Sequence, residues 1–141
     1  MICYVDSSAL VKYYIEEEGT ADVKKAFLSA REIVVSMIGF SEVVSTIYRK
    51  YREDDLSLKS KDHLMVQFKK DWTGFYLINV SAQVIRLSGD LIHKYPLRGF
   101  DSVHIASAIV ASKKLEANIS FLSFDQQQCK AAQKESLLVI G

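Results

Sequence analysis

Short apolar segments, too brief for helices and rich in β-branched and aromatic residues, recur along this chain: ICYV at 2–5, IVV at 33–35, FYLINV at 75–80, ISFLS at 119–123 and LLVI at 137–140. Unbroken apolar runs of this length describe strands covered on both faces, where alternating runs would describe half-exposed ones. Between them lie segments of helical period, roughly 8–17, 20–30, 37–53, 58–72, 82–95, 102–115 and 126–135, with Ser36, Ser57 and Ser81 placed as N-caps. Strands separated by helices require crossovers, so the pattern predicts an α/β fold: a mostly parallel five-stranded sheet with helices on both faces, a three-layer α/β/α sandwich.

One proline and six scattered glycines leave no linker, so the 141 residues are expected to form a single domain, 1–141. A formal net charge of +1 supplies no global field for a nucleic-acid partner, which would have to be met by local basic patches. The densest charge, between Arg49 and Lys70, mixes both signs and reads as solvated helix, although Arg49, Lys50 and Arg52 extend the helix of Glu42 and could meet a phosphate backbone. Cys3 and Cys129 have no metal or disulfide spacing and read as structural thiols. No apolar run approaches the roughly 20 residues of a membrane span, so a soluble, cytoplasmic protein is expected.

Four carboxylates carry the functional signal: Asp6 in ICYVDSSAL, Glu42 in GFSEVVSTI, Asp101 in RGFDSVHIA and Asp125 in FLSFDQQQ. Ligands of open α/β sheets bind beyond the carboxyl ends of the strands, so acids at strand exits can converge although distant in sequence. Converging acids repel, and a hard divalent cation such as Mg²⁺ relieves this because carboxylate oxygens suit it. Each acid also has a plainer reading. Asp6, Asp101 and Asp125 can be helix N-caps, Gln128 completing a capping box with Asp125, and Glu42 can be an exposed helical glutamate. His104 shares a helix face with Asp101 at i,i+3, but a core histidine bonded to the backbone is the favoured reading. Ser123, two residues before Asp125, either ends the strand or hydrogen-bonds within a site.

Taken together, YVDSSAL, SMIGFSEVVSTIYR, LRGFDSVHIASAIV and FLSFDQQQ resemble the four acidic motifs of the PIN-domain nucleases, particularly the VapC-like toxins of prokaryotic toxin–antitoxin pairs. The resemblance implies a PIN-like α/β/α sandwich, usually homodimeric, cutting RNA with Mg²⁺ or Mn²⁺ and restrained by a cognate antitoxin. It places Asp6, Glu42, Asp101 and Asp125 among the metal-binding acids, with Ser123 as the family's small hydroxyl residue and His104 as a common histidine. SKKLEANI, ahead of the fourth strand, is expected to lengthen the preceding turn, and Gln126, Gln127 and Gln128 stand where a basic residue often follows the last acid. Leu10, Val11, Tyr14, Val44, Ile47 and Tyr48 are either core or an apolar groove for the antitoxin.

The chemistry implied is hydrolysis of a phosphodiester by one or two cations, with Asp6 and Asp101 as direct ligands, Glu42 a ligand or a residue orienting water, and Asp125 acting through water or a second ion. A phosphoacceptor receiver, which also places aspartates at strand ends, needs an acidic pair after the first strand and a lysine late in the sheet; Asp6 has no acidic neighbour and ISFLSFDQQQ no lysine. An RNA-processing nuclease without an antitoxin and a non-catalytic nucleic-acid- or protein-binding PIN domain are the remaining alternatives.

Overall fold

A computed structural model describes all residues, Met1–Gly141. The strands are β1 (Ile2–Val5), β2 (Glu32–Ser36), β3 (Tyr76–Ile78), β4 (Ile119–Leu122) and β5 (Leu138–Ile140). The helices are α1 (Ser7–Tyr14), α2 (Thr20–Ser29), α3 (Ile38–Arg52), α4 (Leu58–Trp72), α5 (Ala82–Lys94), α6 (Gly99–Leu115) and α7 (Gln126–Lys134). Every strand and helix expected from the apolar pattern is present. The sheet is parallel throughout, in the order β3-β2-β1-β4-β5.

That order follows from crossover handedness. The chain steps outward from β1 to β2 and β3, returns to place β4 on the other side of β1, and continues to β5. Right-handed crossovers in opposite directions put their helices on opposite faces. The side-chain period of two then divides each strand between two cores. Ile2 and Tyr4 of β1 join Val34, Phe121 and the inner faces of α5, α6 and α7 in one cluster. Cys3 and Val5 join Val35, Leu122 and residues of α1 to α4 in the other. Tyr4 and Phe121 stack with ring centroids 5.5 Å apart, and burying each such side chain stabilises the fold by roughly 1.5–3 kcal/mol. Between β1 and β4 the connections diverge to opposite faces, which makes the carboxyl ends of these two strands the topological switch point.

Helix ends correct three sequence expectations. Ser57 and Ser81 are N-caps, accepting from the N–H groups of Ser60 and Val84, but Ser36 is the buried last residue of β2. Its hydroxyl accepts from Ile38 N–H, and Met37 opens α3 without a side-chain cap. Asp101 lies within the first turn of α6 instead of capping it, because the helix begins at Gly99, after Arg98. SKKLEANI does not lengthen a turn: its SKKL continues α6 to Leu115, and Glu116, with φ 48°, reverses the chain into β4 within three residues. No helix is long and apolar enough to cross a membrane.

Candidate active site

The switch point places Asp6 and Ser123 side by side. Asp6 N–H donates to Leu122 C=O at 3.2 Å, prolonging the β1–β4 ladder by one residue. Asp6 caps α1, its Oδ1 accepting from Ala9 N–H at 2.8 Å, while the Ser8 and Ser123 hydroxyls also donate to the carboxylate. The side chain is only 4% exposed. Burial pushes its carboxyl above the usual range, opposed by the charge His104 can carry and by the donors from Ala9, Ser123 and Ser8. Capping and burial at a strand end are therefore both true of Asp6.

Asp125 caps α7, its Oδ1 accepting from Gln128 N–H at 2.9 Å. The expected capping box is only half made, because Ser123 Oγ, not the Gln128 side chain, accepts from Asp125 N–H. Gln128 turns inward and is wholly buried: its Oε1 accepts from Ser123 Oγ at 2.6 Å and its Nε2 donates to Asp101 C=O at 3.2 Å.

Glu42, one turn into α3, sits beside a buried polar chain. Its Oε1 accepts from Ser7 Oγ and lies 2.9 Å from His104 Nε2; His104 Nδ1 is 2.7 Å from the Tyr4 hydroxyl. Burial raises the Glu42 pKa, but the hydrogen bonds from His104 and Ser7 and the charge of the ring outweigh it and hold the carboxyl below its usual value. An ionised carboxylate only accepts, so the network assigns the proton to His104 Nε2. Burial above all pushes the Tyr4 phenol well up, so it keeps its proton and is placed to donate to His104 Nδ1. His104 is thus buried as expected, but it is bonded to side chains of the site and not to backbone.

Asp101 belongs to a more open half of the site. Its Oδ2 accepts from Arg98 Nε at 3.2 Å, and the same guanidinium approaches Asp125 Oδ2 at 4.0 Å. Asp101 and His104 share their face of α6 yet diverge in their bonds, one toward Arg98 and the other toward Tyr4 and Glu42. Asp101 and Glu42 line a cavity of about 620 Å³ with Arg98, Phe100, Ile85 and Ile92. These last three apolar residues are exposed. By contrast, Leu10, Val11 and Ile47 are core; Tyr14 is buried too but lines a second cavity of about 470 Å³ with Ile15, Leu56 and Leu64, and Val44 and Tyr48 are partly buried against the core. Arg49, Lys50 and Arg52 end α3, where they complement its C-terminal carbonyls.

Cys3 is a buried thiol pushed up to about 12 by burial. Burial also raises Cys129, which donates to Ser123 C=O at 3.3 Å, and both thiols are free. Three residues of the site were not singled out from the sequence: Tyr4, Ser7 and Arg98. Gln128 reads from the sequence only as a partner of the Asp125 cap. Only the placement of Arg98 three residues before Asp101 was a usable signal.

The donor chemistry fits a hard divalent cation. All four candidates are carboxylates, and Glu42 Oε2 and Asp101 Oδ1 have no partner in the protein while the other oxygen of each is anchored. As placed, no three His, Cys, Asp or Glu side chains converge on one coordination sphere. The positive charge among the open acids is that of Arg98.

A family model described as "PIN domain" matches residues 3–134. The chain is 27% identical over 112 residues to "Ribonuclease VapC45" of Mycobacterium tuberculosis, covering 77% of this chain and 75% of that protein. Among solved structures, FitAcB from Neisseria gonorrhoeae superposes with a TM-score of 0.68 at 14% identity, covering 100% of this chain and 97% of that one. Mycobacterium tuberculosis VapC20, described as a sarcin-ricin loop cleaving toxin, gives 0.67 at 13% identity, with 93% and 95% covered. The family match takes in Asp6, Glu42, Asp101 and Asp125 together with the whole switch point between β1 and β4, and this chain belongs to the PIN-domain family.

Proposed function

We propose that this protein is a divalent-cation-dependent endoribonuclease that acts as the toxin of a toxin–antitoxin pair. The observation that carries the reading is the pairwise linkage of the four acids beyond the strand ends: Ser123 bonds the Asp6 carboxylate and the Asp125 N–H, Asp101 and Asp125 share Arg98, and Asp101 and Glu42 line one cavity. Its support among relatives is the ribonuclease name of VapC45 and the description of VapC20 as a sarcin-ricin loop cleaving toxin.

Asp6, Glu42, Asp101 and Asp125 would hold Mg²⁺ or Mn²⁺, which when bound supplies Lewis acidity to the phosphodiester and makes water a stronger nucleophile at neutral pH. The chain's own contribution is orientation. Ala9 N–H and the Ser8 hydroxyl fix the Asp6 carboxylate. Ser7 and His104 hold Glu42 by Oε1 and leave Oε2 for a ligand or for the attacking water. No serine or cysteine nucleophile is required, and the raised thiol pKa values suit neither cysteine to the role. The exposed guanidinium of Arg98 is available to a phosphate of the substrate.

The cavity beside Asp101 suits an amphipathic antitoxin segment, with Ile85, Ile92 and Phe100 for its apolar side chains and the acids for a basic one. Residues 1–141 act as one domain in this reading, within a homodimer. Incubating the purified protein with mixed RNA tests the catalytic part. We expect cleavage with Mn²⁺ or Mg²⁺ that chelator stops and Asp101→Asn abolishes; cleavage undiminished in that variant would overturn the assignment. Co-purification from the native host of a small partner that suppresses cleavage tests the toxin part, and full activity of the protein as isolated there, with no partner, would overturn it.

A further inference from the structure

A wholly buried glutamine at the first turn of a polar surface helix is out of place unless its amide has work to do. Burying an amide without partners is costly, and Gln128 turns its main-chain N–H and both ends of its amide to residues of the site. Its N–H caps onto Asp125 Oδ1, its Nε2 donates to the main-chain carbonyl of Asp101, and its Oε1 accepts from Ser123. The Asp101 carbonyl can only accept, which fixes the amide with nitrogen toward α6 and oxygen toward Ser123. Ser123 has a single hydroxyl proton facing two acceptors, Gln128 Oε1 at 2.6 Å and Asp6 Oδ2 at 3.1 Å. The shorter bond draws that proton away from Asp6.

We propose that Gln128 is a positioning residue of the acidic centre: it ties the first turn of α7 to α6 and turns the Ser123 hydroxyl away from Asp6 Oδ2, which then shares only the Ser8 hydroxyl with Oδ1 and keeps a lone pair for a ligand. The inference rests on the metal-dependent reading above. Without the amide, the Ser123 proton turns fully onto Asp6, the Asp101 main chain loses its tie to α7, and the acids bind a cation less well. Residues behind metal ligands typically change metal affinity by about 10–100-fold when lost.

Gln128→Met keeps the length and bulk of the side chain and removes only its amide, and Gln128→Leu serves the same purpose should methionine overpack the site. The measurements are the melting temperature against Mn²⁺ concentration and, separately, RNA cleavage. We expect Gln128→Met to melt near wild type without metal and to need about 10-fold more Mn²⁺ for half of the melting shift and for half-maximal cleavage. Ser123→Ala/Gln128→Met is expected to be no worse than Gln128→Met alone, because both substitutions act on one proton; a purely structural glutamine would leave the two effects independent. A wild-type Mn²⁺ response in Gln128→Met, or multiplicative losses in the double variant, would overturn the inference and leave the nuclease reading standing. A wild-type protein that neither shifts with Mn²⁺ nor cleaves RNA would overturn both.

Discussion

The two halves of the acidic centre are held by different forces. Around β1 and the start of α3, Asp6 and Glu42 are held by main-chain N–H, hydroxyl and imidazole donors that are themselves buried. At the start of α6 and α7, Asp101 and Asp125 are half-buried much as Glu42 is, but their shared contact is a guanidinium that is 83% exposed. Donors fixed by packing keep their geometry without further ordering, whereas an exposed ion pair must restrain two side chains and is screened by salt. The buried half is thus preorganised, and the open half is where a cation, a phosphate or a partner's side chain can enter.

The sharpest way to break the comparison is to neutralise one acid from each half. Asp6→Asn and Asp101→Asn should each lower RNA cleavage by about two decades or more, since several kcal/mol of charge stabilisation disappear with a ligand. Their stabilities should differ. Asparagine keeps the cap on Ala9 N–H and removes a buried charge, so Asp6→Asn should melt at or above wild type at neutral pH, while Asp101→Asn loses only an exposed pair. Equal melting shifts, by calorimetry, would erase the distinction between the halves.

A smaller effect is expected at the back of the buried half. Tyr4→Phe removes the donor to His104 Nδ1 and leaves a buried ring nitrogen unpaired, for a destabilisation of about 1–3 kcal/mol in urea unfolding. The rotamer of Glu42 should loosen with it, seen as weaker Mn²⁺ binding; unchanged stability would show that the phenol is not needed there.

Acid titration of stability separates buried Asp6 from half-buried Glu42 by sign. Glu42 is held below its usual pKa of 4.5, so its contribution is present above that value and is lost as pH falls through the depressed one. Asp6 is raised above 3.8, so between that value and its folded pKa the native state holds more protons and stability falls as pH rises. Relative to wild type, Asp6→Asn should gain stability on going up from about pH 4, whereas Glu42→Gln should lose it over the lower window. Parallel curves for the two variants would contradict the different environments.

Arg98→Ala should have the least effect on folding, at most about 1 kcal/mol, because the pair it breaks is exposed. It should also make Mn²⁺ bind a few-fold more tightly in the absence of RNA, by removing a competing charge from Asp101 and Asp125. Titration calorimetry showing weaker binding would indicate that Arg98 supports the open half and does not compete for it.

Much of this organisation was written locally in the chain. Five short, largely apolar runs divided by helical period were enough for an α/β fold, because crossovers require those helices. Only β1 and β4 are buried throughout, and β3 and β5, at the sheet edges, are partly exposed. The acids were legible for a similar reason: a charge directly after a buried strand, as at Asp6, has few explanations beyond capping and binding. What local pattern could not carry was the choice among partners at long range. That His104 meets Tyr4 and Glu42 and not backbone, that Gln128 turns away from the cap it resembles, and that Leu10 and Ile47 are core and not groove all depend on which helix covers which face of the sheet. The order β3-β2-β1-β4-β5 decides this by bringing residues about a hundred positions apart within hydrogen-bonding distance, as with Tyr4 and His104. A hydrogen bond has no signature in sequence until both of its ends are placed, and only the folded chain places them.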